Sequence, residues 1–207
     1  MIKYSLSNKI SFLIKIIFFF FVFSLKSYSD NLKINDDLVT LGDDKANIKI
    51  KIFSSFTCPH CANFHFNIVP QIKKNYVDTG KVQLIFIDFP LDQAAFNVSK
   101  LLHCVEKSKQ INFIDNIHKN QKQWAAGSNI EEINKNIKKI VENLGISSSR
   151  FDKCLIDEDI SDKILNGRIA ASKKYTINST PTIVINEKKL EGSVSFENIK
   201  KKIEKLI

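Results

Sequence analysis

The chain has 207 residues, of which 31 are basic and 22 acidic, with a formal net charge of +9. All basic residues except Arg150 and Arg168 are lysines, and a positive surface without arginine clusters favours solvation over nucleic-acid binding. The length suits one domain with a full core, or a small fold that carries an insertion. We therefore expect no nucleic-acid partner and no second folded domain.

The first 29 residues have the composition of a secretory signal peptide. They contain four lysines, no acidic residue and an apolar run at 16–25, about half of the roughly 20 residues that a membrane-spanning helix requires. Small serines precede Asp30 at the positions that a signal peptidase reads. We predict that residues 1–29 are removed before Asp30. The alternative is an uncleaved anchor that begins near Phe12, and the folded part is exported in either case.

A strand, a helix and a second strand are predicted next. Residues 49–54 alternate and then become apolar, as a strand that enters a core does. The following apolar residues recur every three or four positions, which predicts a helix with one buried face: Cys58, Cys61, Phe64, Ile68 and Ile72. Pro70 is predicted to kink this helix without ending it. Residues 82–87 are almost wholly apolar, which predicts a strand covered on both faces.

Residues 93–175 have a helical pattern throughout, which predicts four or five short helices. Ser128 and Glu131 have the spacing of a capping box. Thr180-Pro181 then precedes a predicted strand at 182–185, a turn, a short strand and a final amphipathic helix. The order of these elements predicts an α/β protein.

Cys58 and Cys61 flank Pro59 and His60 at the predicted start of the first helix. Unpaired backbone donors and the helix dipole stabilise a thiolate at such a position. We expect Cys58 to be the exposed nucleophile and Cys61, one turn further on, to resolve a mixed disulfide. His60 can donate to the Cys58 thiolate or place positive charge beside it, which makes the disulfide a stronger oxidant, while Pro59 fixes the turn.

Two other interpretations of this cysteine pair stay open: a static disulfide, and half of a metal site. A zinc site needs two more ligands, and His65 is the candidate nearby in sequence. His103 and His118 lie in predicted helices, where surface or core positions are favoured over metal binding. The position of the pair between an apolar strand and a helix favours redox chemistry. We expect no metal and no other cofactor.

The two remaining cysteines, Cys104 and Cys154, lie in the predicted helical region. Four cysteines allow three pairings, and the spacing favours one local pair and one long-range pair. A Cys104–Cys154 disulfide would close a loop of about 50 residues and stabilise the fold by roughly 4 kcal/mol on the chain-entropy model. The alternative is two buried reduced thiols.

Several motifs resemble the DsbA family of periplasmic dithiol oxidases. They are Cys58-Pro59-His60-Cys61, the preceding Phe53-Ser54-Ser55-Phe56 and the later Thr180-Pro181-Thr182. The resemblance implies a thioredoxin-like fold over residues 30–207 with a helical insertion at about 93–175. It also implies that Pro181 is a cis-proline packed against the cysteine pair, and that Thr180 pairs through its backbone with an extended substrate segment.

The chain departs from the family pattern at one position and is ambiguous at another. Thioredoxin-like proteins often carry a buried carboxylate six residues before the first cysteine, where this chain has Ile52. A water molecule or another side chain must then accept the Cys61 proton. Thr180 occupies a position where threonine is found in disulfide isomerases and in some oxidases, so it does not separate these two activities.

The resemblance implies an enzyme, a periplasmic protein disulfide oxidoreductase that donates a disulfide to reduced, unfolded exported proteins. It also implies reoxidation by a membrane partner of the DsbB type, and we expect a monomer. An isomerase or reductase is the alternative, although about 18 residues between Asp30 and Ile48 leave no room for a dimerisation domain. A non-catalytic chaperone or metal-binding protein would leave Pro59 and His60 unexplained.

Overall fold

A mixed five-stranded sheet forms the centre of the protein in the computed structural model, which describes residues 38–207. The strands are β1 (Val39–Leu41), β2 (Ile48–Ser54), β3 (Val82–Asp88), β4 (Thr182–Ile185) and β5 (Lys188–Lys189). Their order across the sheet is β1-β3-β2-β4-β5, with β2 and β3 parallel and the other neighbours antiparallel. The sequence pattern missed β1, because three residues are too few to show a period. The predicted signal peptide lies outside the described residues.

The helical region after β2 is divided where one kinked helix was expected. It consists of α1 (Pro59–Asn67), α2 (Val69–Ile72) and a π-helical segment (Lys73–Val77). The break falls at Ile68, and Pro70 lies in the first turn of α2 instead of a helix interior. A proline is tolerated in a first turn because its missing N–H would have no intrahelical partner there.

All helices between β3 and β4 in the described chain lie between Gln93 and Tyr175. They are α3 (Gln93–His103), a 3-10 turn (Lys107–Lys109), α4 (Gln110–Lys119), α5 (Gln121–Trp124), α6 (Ile130–Glu142), α7 (Ser148–Leu155) and α8 (Glu158–Tyr175), and α9 (Phe196–Glu204) ends the fold. The expectation of four or five helices was too low, because the short α5 has no periodic signal of its own. The expected capping box was also wrong by one residue: Asn129 caps α6, and Ser128 donates to Glu132.

The sheet buries apolar side chains on both faces. Ile50 and Ile52 of β2 point into the larger core, which includes α1, α3 and α4, whereas Phe53 points into a smaller cluster with Ala171 of α8. No helix within residues 38–207 is both long and apolar enough to cross a membrane. Because α1 lies between the parallel strands β2 and β3 in the chain, its start is held at one end of the sheet.

Candidate active site

Cys58 lies at the junction between β2 and α1, where it is the residue that caps the helix start. Its side chain is buried, with 8% of its surface exposed, and its thiol donates a hydrogen bond to the Thr180 carbonyl oxygen at 3.3 Å. The expectation of an exposed nucleophile was therefore wrong, because the loop before β4 covers the sulfur.

Cys61 is one helical turn further on and is almost fully buried, with 1% exposed. Burial raises the pKa of its thiol to about 11, although the Ser54 hydroxyl and the Ser55 N–H act to lower it. The Ser55 N–H donates to the Cys61 sulfur at 3.5 Å. Within the described chain both Cys58 and Cys61 are free thiols. Cys61 is thus a neutral thiol at physiological pH and requires a proton acceptor before it can attack.

The peptide bond between Thr180 and Pro181 is cis. The Thr180 carbonyl lies against Cys58. Thr182, two residues later, pairs with Phe53 of β2 in the sheet. The Thr180 hydroxyl oxygen is buried and has no hydrogen-bond partner among residues 38–207. The structure therefore brings together the two sequence segments that resemble the DsbA motifs.

Gln121 is a site residue that the sequence analysis missed. Its side-chain amide is buried and donates to the backbone carbonyls of Phe56 at 2.6 Å and Cys58 at 3.1 Å. Because α5 carries this side chain, the helical region is fastened directly to the loop that holds Cys58. The sequence shows only a glutamine three residues before Trp124, and neither the burial of Gln121 nor its partners can be predicted from that pattern.

Pro59 and His60 form the first turn of α1, and both side chains are exposed. Pro59 occupies the first helical position, where its fixed φ suits the helix. The exposed His60 imidazole lies between the two cysteines in the chain, on the solvent side of the site. Its predicted influence on the thiolate stays a prediction.

The other histidines near the site, His65 of α1 and His118 of α4, are buried next to each other. His65 pairs with Asp115, with 2.5 Å between Nε2 and Oδ1, and its ring centroid lies 5.3 Å from that of His118. Burial, and secondarily the neighbouring His65, lowers the pKa of His118 to about 3, so His118 is neutral. No group of three or more His, Cys, Asp or Glu side chains in residues 38–207 could hold a metal ion.

The second cysteine pair is a disulfide in the helical region. Cys104 and Cys154 are joined with an S–S distance of 1.98 Å across a sequence separation of 50. Cys104 is the C-cap of α3 and Cys154 lies near the end of α7. The bridge therefore fastens two helices of the insertion to each other and leaves Cys58 and Cys61 to pair locally.

Comparison with known proteins gives consistent matches over most of the chain. A family model described as thioredoxin matches residues 35–205. A relative from Rickettsia prowazekii named "Putative protein-disulfide oxidoreductase" is 28% identical over 176 residues, covering 84% of this chain and 63% of the relative. "Probable disulfide bond formation protein D" from Bacillus cereus is 29% identical over 171 residues, covering 80% of this chain and 77% of that protein. The chain thus spans less than two thirds of the Rickettsia relative.

A solved structure extends the match to the fold. The crystal structure of alpha-DsbA1 from Wolbachia pipientis superposes with a TM-score of 0.75 at 30% sequence identity, covering 83% of this chain and 92% of that chain. The predicted thioredoxin-like fold is confirmed by this agreement together with the family model. The chain belongs to the DsbA family of thioredoxin-fold proteins.

Proposed function

We propose that the protein is a thiol-disulfide oxidoreductase that works as an oxidase and donates the Cys58–Cys61 disulfide to reduced exported proteins. The observation that carries the proposal is the position of Cys58 at a helix start, with its sulfur 3.3 Å from the carbonyl that precedes a cis-proline. Membership of the DsbA family supports the same chemistry.

In the donating direction a substrate thiolate attacks the Cys58 sulfur of the oxidised protein. A bond forms between the substrate sulfur and Cys58, the Cys58–Cys61 bond breaks, and Cys61 leaves as a thiolate that takes up a proton. A second substrate thiolate then attacks the substrate sulfur of the mixed disulfide, and Cys58 leaves as a thiolate. The N-terminal end of α1 stabilises that leaving group, which drives transfer of the disulfide to the substrate.

The residues around the pair have separate proposed roles. Pro59 fixes the first turn of α1, and His60 places a donor or positive charge on the solvent side of the Cys58 thiolate. Thr180 and Pro181 form the substrate-binding loop: an extended substrate segment would pair with the Thr180 backbone as an added strand. In the reduced protein the Thr180 carbonyl oxygen accepts a hydrogen bond from the Cys58 thiol.

The cellular setting completes the proposal. A cleaved signal peptide at residues 1–29 would export the mature domain, residues 30–207, to the periplasm. There it would oxidise unfolded proteins as a monomer and be reoxidised by a membrane partner of the DsbB type. The similarity to DsbA proteins supports these assignments.

A paired assay tests the proposal. The purified protein is equilibrated in glutathione redox buffers, and oxidation of a reduced dithiol peptide is measured beside refolding of scrambled ribonuclease. We expect an oxidising equilibrium and faster peptide oxidation than ribonuclease reshuffling. A strongly reducing equilibrium, with reshuffling faster than oxidation, would show an isomerase or reductase instead.

A further inference from the structure

Cys61 must exchange a proton although its surroundings provide no carboxylate at the expected position. Its side chain is 1% exposed, and Ile52, which stands six residues before Cys58, is 2% exposed in the apolar core. Bulk water therefore has little access to the sulfur. A proton that leaves or enters Cys61 needs another path.

A small cavity of about 20 Å³ lies directly beside Cys61. This is room for one water molecule, provided that polar groups hold it. The titratable residues that border the cavity are Cys61 and His65 from α1, Asp88 from β3 and His118 from α4, and Ser54 borders it as well. The cavity thus connects the Cys61 thiol to a carboxylate.

Asp88 reaches this cavity because of the sheet register. It pairs with Ser54 across parallel strands β2 and β3, and paired residues point to the same face of a sheet. Asp88 Oδ2 accepts a hydrogen bond from His103 Nε2 of α3 at 2.7 Å, with side chains that are only 12% and 14% exposed. The position six residues before Cys58 is occupied by Ile52, and Asp88 on the neighbouring strand supplies a carboxylate at the same cavity.

The other histidines around the cavity are poorer acceptors. His118 is neutral and deeply buried, and its low pKa means that it holds an added proton weakly. His65 already uses Nε2 to bind Asp115, and Asp115 does not border the cavity and is half exposed. Asp88 is the carboxylate that borders the cavity.

We propose that the Asp88–His103 pair is the proton exchanger of Cys61, acting across the cavity through Ser54 or one water molecule. When a mixed disulfide on Cys58 is resolved, the Cys61 proton passes to Asp88, the Cys61 thiolate attacks the Cys58 sulfur, and the departing sulfur leaves as a thiolate. When a substrate thiolate opens the Cys58–Cys61 disulfide, the pair returns a proton to Cys61. This inference rests on the proposed function and identifies the groups that act as acid and base in it.

The test separates the two chemical steps by rapid mixing of the reduced protein with oxidised glutathione. Attack by Cys58 gives a mixed disulfide in the first step, and closure by Cys61 releases glutathione in the second. For Asp88→Asn we expect closure at neutral pH to slow by about a hundredfold, the lower end of what general-base catalysis typically contributes. Closure should also become proportional to hydroxide concentration, while the first step keeps its wild-type rate.

Asp115→Asn is the matched control, because it disrupts an equivalent aspartate–histidine pair whose carboxylate does not border the cavity. It should leave both steps unchanged. If Asp88→Asn closes at the wild-type rate with the wild-type pH profile, or if Asp115→Asn slows closure equally, the proposal is wrong. Should Asp88→Asn not fold, His103→Gln keeps a donor to Asp88 but removes the imidazole that Asp88 binds, and it must displace the pH profile of closure.

The same traces distinguish failure of this inference from failure of the proposed function. If wild-type protein forms no mixed disulfide with oxidised glutathione, the oxidoreductase proposal itself fails. If the first step proceeds and the closure rate does not depend on Asp88, only the inference of a proton exchanger fails.

Discussion

The two cysteine pairs occupy opposite ends of helices. Cys58 stands at the N-terminal end of α1, whereas Cys104 caps the C-terminal end of α3 and Cys154 lies in the last turn of α7. The helix dipole stabilises a thiolate at an N-terminal end and destabilises it at a C-terminal end. The same residue type is therefore suited to be a leaving group at Cys58 and forms a disulfide crosslink at Cys104 and Cys154.

Removal of each sulfur of the Cys58–Cys61 pair in turn has the largest expected effect. Cys58→Ser should abolish peptide oxidation, because no disulfide can form at the site. Cys61→Ser should still react through Cys58 and should accumulate a mixed disulfide that mass spectrometry detects. The assignment of nucleophile and resolving thiol is reversed if Cys58→Ser retains activity and Cys61→Ser does not trap a substrate.

The second pair should affect stability and leave the chemistry intact. Replacing Cys104 and Cys154 together by alanine removes a crosslink over a sequence separation of 50, and we expect the free energy of unfolding to fall by about 4 kcal/mol on the chain-entropy model. Denaturant unfolding measures this loss. Peptide oxidation by the folded variant should match the wild type.

Loss of activity without loss of stability would contradict the assignment of one pair to chemistry and the other to stability. If the folded double variant loses peptide oxidation while its unfolding free energy is unchanged, Cys104 and Cys154 take part in the redox reaction. A fall in stability together with normal oxidation supports a structural crosslink.

Gln121 couples the two regions, and its removal should have a smaller effect. Gln121→Ala leaves the Phe56 and Cys58 carbonyls without this side-chain donor, and a lost partner of a buried polar group costs about 1–3 kcal/mol. Thermal unfolding should show the loss. Gln123→Ala, on the exposed side of the same helix, should change stability by less than about 0.5 kcal/mol. Equal effects of the two substitutions would show that α5 does not fasten the catalytic loop.

Local sequence pattern predicted the parts of the site that depend on neighbouring residues. The strand before Cys58, the helix after it and the strand after Thr180-Pro181 follow from periodicity and turn chemistry. The contacts of Gln121 and the pairing of Asp88 with His103 did not follow, because their partners are 15 to 65 positions away. Periodicity reports which face of an element is buried, and it carries no information about which distant polar group that face meets.

The exposure of Cys58 illustrates the same limit. A helix-start position correctly indicated where the sulfur would lie, but the Thr180 carbonyl that covers it comes from the other end of the chain. The pairing of β4 with β2 brings that loop to the site. Tertiary contact thus changes the accessibility of Cys58 without changing its local backbone.

The smallest expected effect at neutral pH is the contribution of Cys61 ionisation to stability, and titration measures the pKa of this one thiol. Burial raises the pKa of Cys61 to about 11, from an ordinary value of 9.0. In the Cys58→Ser variant we expect thiolate absorbance to appear only as the pH approaches 11. Because the unfolded chain releases this proton near pH 9 and the folded chain does not, the stability of the reduced protein should fall as pH rises from about 9 to 11.

The oxidised protein provides the control for this loss, since a disulfide has no thiol to titrate. Its stability should not contain the Cys61 contribution to pH dependence over the same interval, and the Cys104–Cys154 bridge is common to both forms. If Cys61 forms a thiolate near pH 9 in the folded variant, burial is not what keeps it protonated. Resolution of the mixed disulfide would then need no internal base, and the chemical difference between the nucleophile and its buried partner would be small.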